Sequence, residues 1–274
     1  MYQNFLQMEI SQIIGYILAI FVGMILGMLG SGGSILSVPI LVYVMGIEPT
    51  LATAYSLFVI GTTSLVGGIH KAKQKLVDFN KVVMFGIPAV ISVFVTRKIL
   101  VPRIPDVLFS TANFTLSKSI LIMLVFAVVM ILASSSMIKP FKEKVIFENE
   151  KLNYFKISLL GILIGLLSGF VGAGGGFLIV PALFLFAKTP MKMAVGTSLL
   201  IVSSQSLIGF TGDIMENQII DWKLLSFFTL ASIFGIFIGN FISKKIKEEK
   251  LKIGFGWFVL TMGIFIIFKE LFWS

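Results

Sequence analysis

Two stretches, GMLGSGGSILSVPIL at 27–41 and GFVGAGGGFLIVPAL at 169–183, collect glycines and hydroxyls inside otherwise apolar sequence. Their candidates for touching a ligand are Gly30, Ser31, Gly32, Gly33 and Ser34 in the first, and Gly172, Gly174, Gly175 and Gly176 in the second. Glycine admits positive φ and puts no side chain between a ligand and the backbone. A helix that begins just after such a cluster turns its free N–H groups and partial positive charge toward it, which suits an anion. A polar set follows each cluster: Thr53, Tyr55, Ser56, Thr62, Thr63 and Ser64, then Thr197, Ser198, Ser203, Ser204, Gln205 and Ser206. Among these, Ser56, Thr197, Ser198 and Gln205 are the binding candidates, because hydroxyl and amide donors hold an oxyanion without burying a cation. The competing reading is hydrogen bonding between helices, worth about 1 kcal/mol a pair in a membrane.

Other chemistries lack their residues. The chain has no Cys and one His, which leaves no disulfide, thiolate or Cys-ligated metal. The cluster GAGGGF lacks the Gly-Lys-Ser/Thr ending of a phosphate-binding loop, and no HExxH or Ser-His-Asp set occurs. No enzyme activity, cofactor or metal is expected. His70, at the end of an apolar run, reads as an interfacial residue, and Arg97 and Lys98 as anchors that snorkel to the interface. No carboxylate or lysine falls in the middle of a predicted span, which weakens a carboxylate-based proton relay.

The residues that would position this chemistry are those of a membrane protein. The chain is 57% hydrophobic and 13% charged, with mean hydropathy +1.02. Apolar runs fall at about 12–29, 35–46, 50–69, 82–100, 119–138, 156–171, 177–187, 193–211, 223–242 and 253–270. Crossing a hydrocarbon core takes about 20 apolar residues in a helix, so this is an all-α polytopic protein whose short segments 35–46 and 177–187 cannot cross unaided. Both follow a glycine cluster, which predicts a helix that enters, breaks and returns. Gly23-Gly27 and Gly165-Gly169 carry the small-xxx-small spacing of tight helix packing, and Pro39 and Pro181 read as bends.

One offset of 142 relates the halves. It carries Gly23, Gly27, Gly30, Gly32, Gly33 and Pro39 onto Gly165, Gly169, Gly172, Gly174, Gly175 and Pro181, and Ser56, Ser64 and Gly67 onto Ser198, Ser206 and Gly209. The loop at 70–81 holds four Lys, whereas its counterpart at 212–223 holds Asp213, Glu216 and Asp221 with one Lys. By the positive-inside rule these loops lie on opposite sides, so the repeats are read as inverted. With both termini outside, the cytoplasmic pieces 70–81, 139–156, 188–192 and 243–252 hold 16 of the 22 cations. The outer loop 101–118 is basic and fits least well. The expected organisation is a first repeat at 1–138, a cytoplasmic linker at 139–155 and a second repeat at 156–274, each with a Gly-broken hairpin and about three spanning helices. The N-terminus lacks the positive region of a cleaved signal peptide. The net charge of +9 is read as lipid-facing rather than nucleic-acid-binding.

The pattern GxxxGxxGxGGxxxxxP, present at Gly23 to Pro39 and again at Gly165 to Pro181, together with AVGTSLL at 194–200, resembles the sulfite exporter TauE/SafE family of membrane permeases. The likeness covers roughly 15–100 and 155–270. The first copy departs from the second at Ser31 and Ser34, and ATAYSLF at 52–58 replaces the Gly-Thr-Ser form. The resemblance implies a transporter of small sulfur-containing anions such as sulfite or organosulfonates, often an exporter, in a prokaryotic plasma membrane. The expected partners are that anion and membrane lipid, with no nucleic acid, and a homodimer is allowed for. The expectation is a secondary transporter working by alternating access; the alternatives are a passive anion channel or a permease for another small anion.

Overall fold

The computed structural model describes residues 2–111, 114–138, 154–215, 220–243 and 248–272. The expected linker lies outside these residues up to 153, as does Glu216 of the acidic loop. The described helices are α1 (Tyr2–Leu29), α2 (30–44), α3 (Pro49–Lys73), α4 (79–100), α5 (Lys118–Ile138), α6 (Tyr154–Val171), α7 (Gly176–Leu185), α8 (Met191–Ile214), α9 (Trp222–Ile242) and α10 (Glu248–Phe272). Among the described residues seven stretches are long and apolar enough to cross a membrane, so the chain is a multi-pass membrane protein. The first stretch, Ile10–Val44, is no straight span, since the Met45 side chain lies 2.6 Å from where a Cβ on Gly15 would sit. The chain therefore doubles back between them, and α2 returns beside α1.

In the outer loop 101–118, strands β1 (Val107–Thr111) and β2 (Phe114–Ser117) pair antiparallel, a short hairpin that the all-α expectation did not include. Val, Leu, Phe and Thr dominate both strands, and those residues suit a pleated, half-exposed surface. Further, α8 runs past the predicted end at 211 to Ile214, which carries Asp213 into the protein.

Local signals set the helix ends. The carboxylates of Glu48, Asp78 and Asp221 accept from the N–H groups of Leu51, Lys81 and Leu224 and cap α3, α4 and α9. Pro39 supplies no N–H, and the chain widens just after it into a π-helical turn, Ile40–Val44. A second π-helical turn, Thr96–Leu100, ends α4.

Four glycine-lined seams join the helices, and each joins an element before residue 139 to one after it. Gly23 and Gly27 of α1 meet the backbone of α9 around Ser232, Ile236 and Asn240, while Gly235 and Gly239 meet Ile20 and Met24 in return. Residue numbers rise together, so the two helices run parallel. Gly161, Gly165 and Gly169 of α6 meet Phe85, Ala89 and Thr96 of α4, again in parallel. In contrast, α3 and α8 cross antiparallel, with Gly61 on Leu207 and Gly68 on Leu200. So do α10 and α5, with Gly256 on Met137 and Gly263 on Ile131. Between lipid-soluble helices the attraction comes from close packing rather than the hydrophobic effect, so missing side chains favour the contact.

The most enclosed spans are α3 and α8. The outer helices turn apolar stripes outward at helical spacing: Ile10, Ile13, Ile17 and Phe21 on α1, and Phe227, Leu230, Phe234 and Phe237 on α9 are all exposed. Polar side chains face the centre, the reverse of a soluble bundle. A Cβ on Gly239 would stand 2.1 Å from the Met24 carbonyl oxygen. Gly239→Ala should therefore cost about 1–3 kcal/mol by overpacking. Gly254→Ala, where a Cβ meets nothing within 4 Å, should cost little. Melting midpoints of the two purified variants check the seam; equal midpoints would count against it.

Candidate functional site

Each half has its break, and the breaks differ in form. In the second, Gly172, Gly174 and Gly175 all sit in the left-handed region, with φ of 73°, 66° and 61°, where a side chain would be strained. Gly175 caps α7, and its carbonyl accepts from the N–H groups of both Leu178 and Ile179. Gly176 and Phe177, the first two residues of α7, have no acceptor within the helix for their N–H groups. In the first break only Gly30 has positive φ, at 72°. Gly32 and Gly33 are wound into a tight 3-10 turn, Gly30–Leu36, which draws N–H groups into i→i−3 bonds.

The breaks touch. Ser31 Oγ donates to the Gly176 carbonyl oxygen at 3.0 Å, and a Cβ on Gly176 would lie 2.2 Å from both Ser31 Cβ and Ser31 O. Ser31 stands where the second copy has Ala173, so the substitution in the first copy supplies the hydrogen bond that joins them. Each break also abuts the central helix of the other half. A Cβ on Gly30 would meet Val195 of α8, and one on Gly172 would meet Thr53 of α3 at 2.3 Å. Thr53 and Val195 are themselves one repeat offset apart.

Gln205 Nε2 reaches the Gly174 carbonyl oxygen and, at 3.2 Å, Ser168 Oγ. Ser206 Oγ would lie 2.9 Å from a Cβ on Gly174. Thus Gly174, Gln205 and Ser206 form one group beside the Ser31–Gly176 contact. Ser34, Ser56, Thr63, Ser64 and Ser206 are buried, and neither their hydroxyls nor Gln205 Oε1 has a hydrogen-bond partner. A buried polar group without a partner costs about 1–3 kcal/mol, so these groups keep unused hydrogen-bonding capacity inside the protein. An apolar crevice reaches the first break from the end where α5 finishes and α8 starts, lined in part by Gly32, Met137, Phe177 and Met191.

Thr197 and Ser198 lie apart from the Gln205 group, toward the part of α8 where Val195 meets Gly30. About eight residues of helix, roughly 12 Å, separate Thr197 from Gln205. The Thr197 hydroxyl accepts from the Asp78 N–H at 3.0 Å, and Ser198 Oγ donates to the Val195 carbonyl oxygen at 2.8 Å. The first interaction has a twin: the Asp221 N–H donates to Tyr55 Oη at 2.6 Å. Tyr55 and Thr197 are again one offset apart, so each central helix holds the start of an outer helix from the other half.

Arg97 overturns its reading as an interfacial anchor. It is 1% exposed, and its Nη1 donates to Asp213 Oδ1 at 3.2 Å, with Asp213 itself buried. Two things hid this pair: the expected end of α8 before Asp213, and the π-helical turn at 96–100 that swings Arg97 inward. Ser168 and Ser206 also join the polar core without having been singled out for binding; the offset from Ser64 pointed to Ser206. Among the described residues no three His, Asp or Glu gather as a metal site would need.

The Ser31–Gly176 contact makes a graded prediction. Ser31→Ala removes one buried hydrogen bond and should cost about 1 kcal/mol. Gly176→Ala forces the breaks apart and should cost more, about 1–3 kcal/mol. Melting midpoints in the opposite order would contradict the contact.

The model of the sulfite exporter TauE/SafE family matches residues 16–266. A probable membrane transporter protein of Xylella fastidiosa is 30% identical over 257 residues, covering 91% of this chain and 92% of that protein. The probable membrane transporter protein YunE of Bacillus subtilis is 25% identical, covering 94% and 99%. One from Methanocaldococcus jannaschii is 27% identical, covering 91% and 94%. No solved structure matches. With the family match running through both glycine breaks and nearly all the spans, the chain belongs to the sulfite exporter TauE/SafE family, and it is a membrane transporter and not an enzyme.

Proposed function

We propose that the protein is a secondary transporter that exports a small sulfur-containing oxyanion, such as sulfite or an organosulfonate, by alternating access across a prokaryotic plasma membrane. The observation that carries this reading is the meeting of the two glycine breaks, Ser31 on Gly176, in a core of buried hydroxyls with no partner. The N–H groups of Gly176 and Phe177 and the hydroxyls of Ser34, Ser56 and Ser206 are donors, matched to oxygens that carry negative charge. The family name favours sulfite within that class. Gln205 is read as a residue that shapes the Gly174 turn while keeping Oε1 free. Thr197 and Ser198 are read as holding the helix framework.

The proposal includes two inverted repeats, 1–138 and 156–274, joined by the linker 139–155. Its support is that α3 and α8, equivalent by the offset, run antiparallel, as do α5 and α10. Parallel α1 and α9 likewise have parallel α6 and α4 as their counterparts. Enclosure of the core favours a carrier that occludes its cargo over an open channel, and the apolar stripes of α1 and α9 suit contact with lipid.

Proteoliposomes loaded with sulfite, thiosulfate or sulfoacetate test the substrate class. Saturable efflux of at least one, with counterflow, is expected; absence of flux for all three would end the sulfur-anion reading. Reporter fusions at residues 75 and 217 test the inversion. They should report opposite sides, cytoplasmic for 75 and external for 217, and a shared side would refute it.

A further inference from the structure

The deepest charge among the described residues is not explained by a core of neutral donors. Arg97 sits in the π-helical turn that ends α4, an irregularity that often occurs where a side chain must be aimed for function. Thr96 Oγ1 donates back to the Ser92 carbonyl oxygen at 2.8 Å and steadies the turn. The guanidinium is fully enclosed, yet it is only partly used. Asp213 takes Nη1, while Nε and Nη2 have no partner, and neither has Asp213 Oδ2.

The free atoms form the chemically distinctive edge. Nε and Nη2 present two roughly parallel N–H groups, the fork that grips two oxygens of one oxyanion at once. Asp213 is at the other side of the guanidinium, where it balances the charge and leaves the fork open. The fork also lies at a break: Nη2 is 2.6 Å from where a Cβ on Gly172 would stand. Any other residue at Gly172 would collide with both the guanidinium and Thr53. One turn along α3 from Thr53 is Ser56, whose buried hydroxyl also has no partner. A free bidentate edge, an unpartnered hydroxyl and a side-chain-free backbone thus occur together beside the second break.

We propose that the Nε–Nη2 edge of Arg97 is the charged ligand of the transported oxyanion, with Asp213 as its resident counter-ion and Ser56 as a neighbouring donor. This rests on the reading of the protein as an anion transporter and adds the residue that would recognise the charge. The second half has no equivalent, because a shift of 143, which aligns the caps Asp78 and Asp221, places Asn240 opposite Arg97. The charged subsite is therefore single and belongs to the side of the second break. An oxyanion bound there has two oxygens on one guanidinium, which selects pyramidal and tetrahedral oxyanions over spherical halides.

The test uses purified full-length protein, with sodium sulfite, sodium thiosulfate and sodium chloride as probes. Flux in liposomes and the thermal shift in detergent are both read. The wild type should respond to an oxyanion and not to chloride. Arg97→Gln alone strands Asp213 in the core, so the informative neutral variant is Arg97→Gln combined with Asp213→Asn. That pair should melt near the wild type yet raise KM for the oxyanion by about tenfold or more, as expected for loss of a charge-assisted bidentate contact. Arg97→Lys keeps the ion pair but offers a point charge instead of a fork, so it too should fold and raise KM. If the pair only holds α4 to α8, the double variant will regain transport along with stability. Wild-type KM in either variant would overturn the assignment while leaving the proposed function standing. A wild type that responds to none of the oxyanions would remove both.

Discussion

In a bilayer a backbone N–H or C=O can pair only with protein, so a helix that stops midway must be roofed by the rest of the molecule. Much of this architecture follows from doing that twice. The break at 172–175 is covered by Thr53, Arg97 and Ser31, and the break at 30–36 by Val195 and the start of α7. Each of these covering groups comes from the opposite half, and Gln205 adds a bond to the Gly174 carbonyl oxygen from within the second half. Neither break is roofed by its own half alone.

Roofing of this kind demands backbone-to-backbone approach, and the glycines supply it. On α1, α6 and α9 they recur at four-residue spacing on the face turned to a partner helix, where even a methyl group would overlap a carbonyl. The glycines at the breaks do something else: positive φ at Gly30, Gly172, Gly174 and Gly175 reverses the chain. One residue type thus serves two physical ends, and the bundle centre is left to hydroxyls, an amide and a single ion pair.

Much of this was legible in the residues. The offset of 142 relates Gly30 to Gly172 and Thr53 to Val195, and the contacts Gly30 on Val195 and Gly172 on Thr53 follow that relation. Length and apolarity foretold that 35–46 and 177–187 could not cross alone. Less legible was whatever depended on helix phase near an end. Arg97 read as interfacial because it lies at the end of an apolar run; a wider π-helical turn rotated it inward. Asp213 read as part of a loop because the sequence FTGDI carries a Gly next to the acid, a usual stop signal that packing against Arg97 overrides. The candidates Thr197 and Ser198 lie on α8 toward Val195 and the first break, about two turns from Gln205, and their described hydrogen bonds go to Asp78 and Val195, a partnering no composition argument measures.

The caps exchanged between halves have a mechanical consequence. Tyr55 holds the first turn of α9, and Thr197 holds the first turn of α4. With α1 also seamed to α9 and α4 to α6, the natural rigid bodies are not the two halves of the chain. Sliding 2–138 as a block against 154–272 would shear four glycine seams and both caps. The tightly joined bodies are instead mixed pairs, α1 with α9 and α4 with α6, each drawn from both halves. Helices exchanged in this way lock the halves like interlaced fingers, so that neither can shift as a block without breaking contacts of the other.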